Sequence, residues 1–444
     1  MAPSPQDPQL VQLRVTRAPL PQIQPEIATL AMQRFQCTGG DCSDTCCRDF
    51  GIAFDRQSMR RMLTATADDL ADRERIGRLA LLGREESMVV LNEQGACPML
   101  EASGQCELHR RYGDAALATA CAVFPRTSLQ VGDRLEVSGT LACPELAKLT
   151  LLSEDGVSQR ECPTALLPVH YVGKSIGVVN ESSDAYVAHF EPVRAVLSKL
   201  FALRDYPLSS RLIFAAQFAA QIEDFFFQNT PAFRGKQQRF THQRLLAEIG
   251  LAQDASALHS LHDDMRGFTG NNEAVLGTVL SLLRERLRLA HPAKFAAAVA
   301  GLVSAKDTDP KELTRLLAGQ DTTLAASFPG LVDRILSRYE QHYLLRNPYT
   351  EVPNLLVYLG RIALALATIK TMVLASPSVK DLLLEPANPK DDAHALGQVV
   401  VDMVQIFTKT VSHHASFLDV FHQAFESGKG TPFGRLVLFA RYLA

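Results

Sequence analysis

Beyond Asn272 the apolar residues return with the period of a helix. Val275, Leu276, Val279, Leu280, Leu283 and Leu287 share one face, which puts Arg284, Arg286 and Arg288 on the others. The same period runs through 193–203, 210–227, 243–251, 331–345, 355–375, 396–407 and 417–425, with breaks at Pro207, Pro231, Pro329 and Pro348. No longer repeat is visible. Before about residue 182 the pattern is different, with short elements and many turns. Residues 50–54 read as a short strand, Asp55 as the cap of a helix over 56–64, and 87–91 as another strand. The turn 101–104, where Gly104 can take a positive φ, punctuates a hairpin. Asp114 is expected to cap a helix over 115–123 that Pro125 ends. Residues 134–141 read as a strand, and Pro144 opens a further helix with Glu145 in its first turn.

With 444 residues, 47% of them hydrophobic and 21% charged, the chain can bury two or three cores. A net charge of −3 creates no general field for nucleic acid or an anionic membrane, so neither is expected as a partner. The first ten residues lack the basic start and apolar run of a secretory signal. The most apolar stretch, 355–375, is interrupted by Arg361 and Lys370, each costly at mid-bilayer depth. It reads as a buried helix, and the protein is expected to be cytoplasmic.

The cysteines change this picture most. All nine lie in the first 162 residues: Cys37, Cys42, Cys46, Cys47, Cys97, Cys106, Cys121, Cys143 and Cys162. A disulfide framework needs an oxidising compartment, and in a reducing one clustered thiols bind metal. Thiolates suit zinc and iron–sulfur clusters, not calcium or magnesium. The first eight can build two four-sulfur sites, or one four-iron cluster with four structural thiols. Cys46 and Cys47 are neighbours that project differently and are expected to serve different sites or different irons. Proline after Cys97 and Cys143, and Arg110, Arg111 and Arg126 near cysteines in sequence, lean toward an iron–sulfur cluster with zinc as the alternative. The arginines read equally as solvated surface charge. His109 can substitute as a ligand or be structural, and Cys162 reads as a thiol outside the set. The expected architecture is therefore mainly α: a flexible tail over 1–10, a small cysteine-rich α+β metal-binding domain over 11–165, and a large all-helical domain over 182–444.

The ordered elements Phe35-x-Cys37-x4-Cys42-x-Asp44-Thr45-Cys46-Cys47, Ile52-x-Phe54-Asp55, Cys97-Pro98-x-Leu100, Gly104-x-Cys106, Leu117-x-Thr119-x-Cys121-x3-Pro125-Arg126 and Cys143-Pro144-Glu145 resemble the flagellin lysine-N-methylase family, with its zinc- or iron-chelating cysteine-cluster domain. The resemblance implies methyl transfer from S-adenosylmethionine to lysine side chains of flagellin. It also implies a 4Fe-4S cluster held by Cys37, Cys42, Cys46, Cys47, Cys97, Cys106, Cys121 and Cys143, with Cys162 outside the pattern. The helical remainder resembles the family in general character and length.

Two features fall outside that resemblance. No glycine-rich loop follows a strand in the way that holds the donor in most soluble methyltransferases; Gly39-Gly40 lies inside the cysteine loop. No catalytic base is singled out either, since Tyr112, Asp114 and Glu145 near the cysteines each have an ordinary structural use. The competing expectation, from another class, is a metal-binding interaction or redox-sensing protein whose helices dock a partner.

Overall fold

The computed structural model describes residues 26–78, 80–82, 86–162, 166–167, 172–177, 185–228, 242–268, 270–289, 293–303, 309–384, 388–412, 415–426 and 430–444. The tail expected over 1–10 lies outside them. The described residues fall into two compact units, one from 26–130 and 134–175, the other from 176–444 with the turn 131–133. The protein is mainly α with a small α+β part, as the hydrophobic pattern implies.

Among the described residues the cysteine-bearing unit has eight strands: β1 Glu26–Thr29, β2 Ala53–Asp55, β3 Ala80–Leu82, β4 Glu86–Val89, β5 Arg126–Val131, β6 Arg134–Gly139, β7 Gln159–Cys162 and β8 Lys174–Ile176. They form a five-stranded sheet in the order β7-β1-β6-β5-β8 and a three-stranded sheet in the order β2-β4-β3. β1 runs parallel to β6, with Glu26 opposite Leu135, and antiparallel to β7, with Glu26 opposite Cys162. Between the strands lie six helices: α1 Leu30–Arg34, α2 Arg56–Ala65, α3 Leu70–Arg78, α4 Glu107–Tyr112, α5 Thr119–Val123 and α6 Pro144–Leu152.

Local chemistry sets several of these boundaries. The Asp55 carboxylate accepts the Ser58 N–H at 2.5 Å and starts α2. Pro144 is the first residue of α6, where its missing N–H costs nothing. The helix expected over 115–123 is instead split into a 3₁₀ turn at Asp114–Ala116 and α5. Leu117 and Ala118 between them are extended, and the Ser58 hydroxyl accepts the Thr119 N–H at 3.0 Å. Asp114 does not cap; its carboxylate pairs with His109 at 2.8 Å.

Among the described residues the second unit has fourteen helices. In order they are α7 Ala185–Ala188, α8 Phe190–Phe201, α9 Leu208–Gln228, α10 His242–Leu251, α11 Ala255–Arg266, α12 Asn272–Leu289, α13 Ala293–Val303, α14 Pro310–Ser327, α15 Leu331–Arg346, α16 Leu355–Leu374, α17 Pro377–Leu384, α18 Pro389–Phe407, α19 Ala415–Phe421 and α20 Pro432–Tyr442. α16 is the central one, packed by α9, α12, α18 and α20. It is long and apolar enough to cross a membrane, yet 89% of its apolar window is buried inside the unit, as a core helix requires. Its two cations are accommodated locally. Lys370 pairs with Asp321 at 2.7 Å and donates to the Leu443 carbonyl at 3.1 Å, while Arg361 lies over the Phe421 ring at 5.6 Å. On α12 one expectation fails: Arg286 is buried, and its Nε donates to the Thr410 carbonyl at 2.5 Å. The carbonyl sits where the chain widens into a π-helical turn, Thr408–Ser412, and so has a lone pair to offer.

Candidate metal centre

The segment that carries Cys46 and Cys47 is laid along the Cys97 segment by backbone bonds. The Cys97 N–H donates to the Cys47 carbonyl at 2.7 Å, the Asp49 N–H to the Gly95 carbonyl at 2.8 Å, and Arg48 bridges Ala96. The turn after Cys97 is closed by Gly104 at φ 80°, whose N–H donates to the Glu101 carbonyl at 3.0 Å. Leu100 then bridges Cys106, the residue that opens α4. Cys121 enters from α5. As a result Cys97 lies within, and Cys47, Cys106 and Cys121 pack against, one hydrophobic cluster that includes Phe54, Met62, Ile76, Met99 and Leu108.

The remaining cysteines sit elsewhere. Cys37 is exposed in the loop after α1, and Cys42 ends the 3₁₀ turn Gly39–Asp41 half-buried. Cys143 is buried at the start of α6, in a second hydrophobic cluster with Ala28, Met32, Phe35 and Val137. Cys162, on β7, belongs to that second cluster too. Cys46 is exposed, beside Cys47. None of the nine is joined in a disulfide. Among the described residues no three His, Cys, Asp or Glu side chains stand in a group that could hold a metal ion as placed.

The thiols burden one another. The neighbouring Cys106 thiol favours a Cys47 thiolate, but Cys46 and burial, with the charges of Cys46 and Cys97, outweigh that and push Cys47 up to about 12. Cys106 is pushed up by its bond to Cys47 and by burial, and Cys121 by enclosure of its sulfur and then by Cys47, Cys106 and Cys97. Burial raises Cys97 as well, against a hydrogen bond from the Met99 N–H and the Arg75 charge. Cys143 is pushed up to about 11, by burial first and then by Cys42 and Cys37, with opposing hydrogen bonds from the Leu146 and Glu145 N–H groups. Such a set is expensive to ionise alone, and a bound cation reverses the cost by paying each sulfur for its lost proton.

Backbone N–H groups oppose part of that cost: Met99 at Cys97, His109 and Leu108 at Cys106, and Leu146 and Glu145 at Cys143 each favour the thiolate over the thiol. Sequence spacing gave no sign of this, because it depends on each cysteine standing at a turn or a helix start.

The arginines divide. Arg110 is held by Glu101 at 2.6 Å, and Arg111 by Asp69 at 2.7 Å and by Asp72, so neither is free to balance a cluster. Arg126 is different. It lies over the Phe35 ring at 5.5 Å, in the field of Cys37 and Cys143, and its Nε finds no hydrogen-bond partner among the described residues. Arg75, remote from any cysteine in sequence, donates to the Pro98 carbonyl at 3.2 Å and acts on Cys97. His109 is engaged by Asp114, and the Tyr112 hydroxyl donates to Asp72 at 2.8 Å, which leaves both with structural work. Glu145 lies in the first turn of α6.

The family model described as the FliB lysine N-methylase C-terminal domain matches residues 194–438. The chain is similar to a lysine-N-methylase of Salmonella typhimurium, 28% identical over 132 residues, or 29% of this chain and 33% of that protein. It is also similar to the flagellar biosynthetic protein FliU of Salmonella muenchen, 28% identical over 134 residues, 29% of this chain and 77% of that one. A lysine-N-methylase of Salmonella choleraesuis is 28% identical over 131 residues, 29% and 32% of the two chains. The match thus spans about a third of the two lysine-N-methylases' own length. No solved structure matches.

Proposed function

The chain belongs to the FliB lysine N-methylase family, and we propose that it methylates lysine side chains of flagellin with S-adenosylmethionine as donor. The observation that carries this reading is the family match over 194–438, preceded in the chain by the ordered cysteines. The names of the relatives, lysine-N-methylase and a flagellar biosynthetic protein, support the reaction and the substrate. The reaction itself is a displacement. A neutral lysine amine attacks the sulfonium methyl; the S–CH₃ bond breaks as the N–CH₃ bond forms, S-adenosylhomocysteine leaves, and the amine loses a proton to a base.

In the same reading Cys37, Cys42, Cys46, Cys47, Cys97, Cys106, Cys121 and Cys143 supply the ligands for metal, a 4Fe-4S cluster first and zinc as the alternative. The donor set fits in type, being thiols, and nearby backbone N–H groups favour the thiolates of Cys97, Cys106 and Cys143. When bound, such a group supplies positive charge that holds the thiolates and ties distant segments together. The protein is proposed to work in the cytoplasm, where flagellin is made and thiols stay reduced.

The test uses the purified full chain, unmodified flagellin and S-adenosylmethionine, with peptide mass spectrometry. Lysines of flagellin should gain the mass of one or more methyl groups. Flagellin left unmodified in that assay, together with flagellin lysines still methylated after deletion of the chain from its host, would overturn the enzyme in favour of a metal-binding interaction or redox-sensing protein.

A further inference from the structure

We propose that Arg361, on α16, holds the carboxylate of the methyl donor's amino-acid part, with the Tyr343 ring of α15 as a wall of the same site. This rests on the reading that the chain uses S-adenosylmethionine, and it assigns that molecule a position on the helical unit.

The first ground is a cation without an acceptor. Lys370, on the same helix, is satisfied by Asp321 and the Leu443 carbonyl. Arg194, Arg211, Arg286 and Arg435 of this unit each donate to a carboxylate or a carbonyl. Arg361 is half-buried, its Nε is enclosed without a hydrogen-bond partner, and no described residue accepts from its terminal nitrogens. What holds it is the Phe421 ring at 5.6 Å. The phenylalanines come close because residue 360 is glycine; a Cβ there would meet Phe425 at 2.9 Å and Phe421 at 3.1 Å. A ring face orients a guanidinium but accepts none of its in-plane hydrogen bonds. The guanidinium stays charged at any ordinary pH, so an anion with two oxygens is the partner its shape fits.

The second ground is the aromatic row beside it. Tyr358 lies three residues before Arg361 on α16 and so on the same side of the helix. Its hydroxyl is taken by the Asn347 carbonyl at 2.8 Å, and its ring packs against Tyr343 at 5.6 Å. Tyr343 packs in turn on Tyr339 at 6.3 Å. Tyr339 and Tyr358 are buried, whereas Tyr343 is partly exposed, so it is the ring of this row that a ligand can reach. Arg361 is close enough to Tyr343 for its charge to oppose the effect of burial on the phenol. Glu351 also acts on Tyr343, yet it forms no ion pair with Arg361.

The chemistry of the two reactants selects the occupant. A lysine side chain brings only a cation or a neutral amine, and the guanidinium repels the first and gains little from the second. The donor brings a carboxylate for Arg361, and its sulfonium and flat base both suit the face of a tyrosine. A carboxylate held by a side chain in this way also removes the need for the glycine-rich loop that the sequence lacks.

The experiment measures binding by titration calorimetry on the purified full chain, with circular dichroism to follow folding. The ligands are S-adenosylmethionine, S-adenosylhomocysteine and 5′-methylthioadenosine, the last of which lacks the amino-acid part. The parent should bind the first two and hold the third more weakly. Arg361→Gln should lose about 10- to 100-fold in affinity for the first two, leave 5′-methylthioadenosine unchanged, and keep the parent's thermal midpoint, since no internal acceptor is lost. Arg361→Lys keeps the charge without the fork, should lose affinity in the same direction by less, and decides the matter should the glutamine variant unfold. Donor affinity equal to the parent's in the variants overturns the proposal and leaves the donor reading standing. An equal loss for all three ligands shows a distorted fold instead of a carboxylate contact and overturns it too. So does a loss confined to flagellin binding, which would give the guanidinium to the protein substrate. A parent that binds none of the three overturns the donor reading and this proposal together.

Discussion

The carbonyl of Gly95 accepts the Asp49 N–H at 2.8 Å, and both residues hold positive φ, 70° and 56°. This pair pins the segment after Cys46-Cys47 to the one before Cys97. Gly95 tolerates a side chain poorly. A methyl added there meets the Asp49 carboxylate, and the left-handed backbone disfavours any L side chain. Gly95→Ala should therefore cost about 1–2 kcal/mol, read by urea unfolding. It should also weaken metal retention against a chelator, since Cys47 and Cys97 lose their shared register. Unchanged stability would mean the loop relaxes freely and does not set the cysteine geometry.

A second prediction concerns the carboxylate that anchors α4. Asp72 on α3 is buried, paired with Arg111 and with Arg75 at 3.3 Å, and it accepts the Tyr112 hydroxyl at 2.8 Å. α4 starts at Cys106, so this network positions a sulfur as well as a helix. Asp72→Ala leaves Arg111 and Tyr112 without their buried acceptor and should cost about 2–3 kcal/mol. Arg111→Ala should cost clearly less than Asp72→Ala, because the guanidinium is one-third exposed and keeps little net Coulomb energy. The double variant should lose less than the sum. Additive losses in denaturant unfolding would show that the two side chains do not act through each other.

Cys162 supplies the control for the ligand set. It pairs across from Glu26 in the five-stranded sheet and is buried with Cys143's cluster. Cys162→Ser should retain the parent's full metal content by elemental analysis, and lose about 1 kcal/mol of stability for the buried hydroxyl. Metal loss in this variant would place Cys162 in a coordination shell and refute the set of eight.

Much of the local structure was legible from sequence because its causes are local. Asp55 before an amphipathic run, Pro144 at a helix start and Gly104 in a turn act within a few residues of themselves, and the structure has each in that role. The apolar run around Leu355 was legible as a core helix because Arg361 and Lys370 rule out a bilayer more firmly than length argues for one. Non-local features were not. β1 lies between β6 and β7, strands more than a hundred residues further on, and nothing in 26–29 announces it. Arg286 looks like a surface charge until the π-helical turn opposite offers it a carbonyl. Arg110 and Arg111 look available to the cysteines until Glu101, Asp69 and Asp72 claim them. The grouping of the cysteines is of this second kind: spacing sets their order, and packing decides which of them meet.

The last prediction concerns Glu340, on α15. It is wholly buried, and neither carboxylate oxygen finds a hydrogen-bond partner among the described residues. Arg211 is in its field, but that guanidinium donates to the Phe201 carbonyl at 2.9 Å and to Ser337. Burial raises the Glu340 carboxyl well above its ordinary 4.5; Arg211 opposes the shift and Asp333 adds to it. The folded protein therefore holds a proton that the unfolded chain releases. Below about pH 4.5 both states are protonated and nothing is lost. As pH rises above that value the unfolded state gives up its proton first, and stability falls by about 1.4 kcal/mol per pH unit until the folded pKa is reached. Glu340→Gln removes the titration while keeping the shape. Its stability should match the parent's in acid and exceed it increasingly toward neutral pH, as followed by urea unfolding across that range. A difference between the two proteins that does not change with pH would show that Glu340 is ionised and satisfied in the fold.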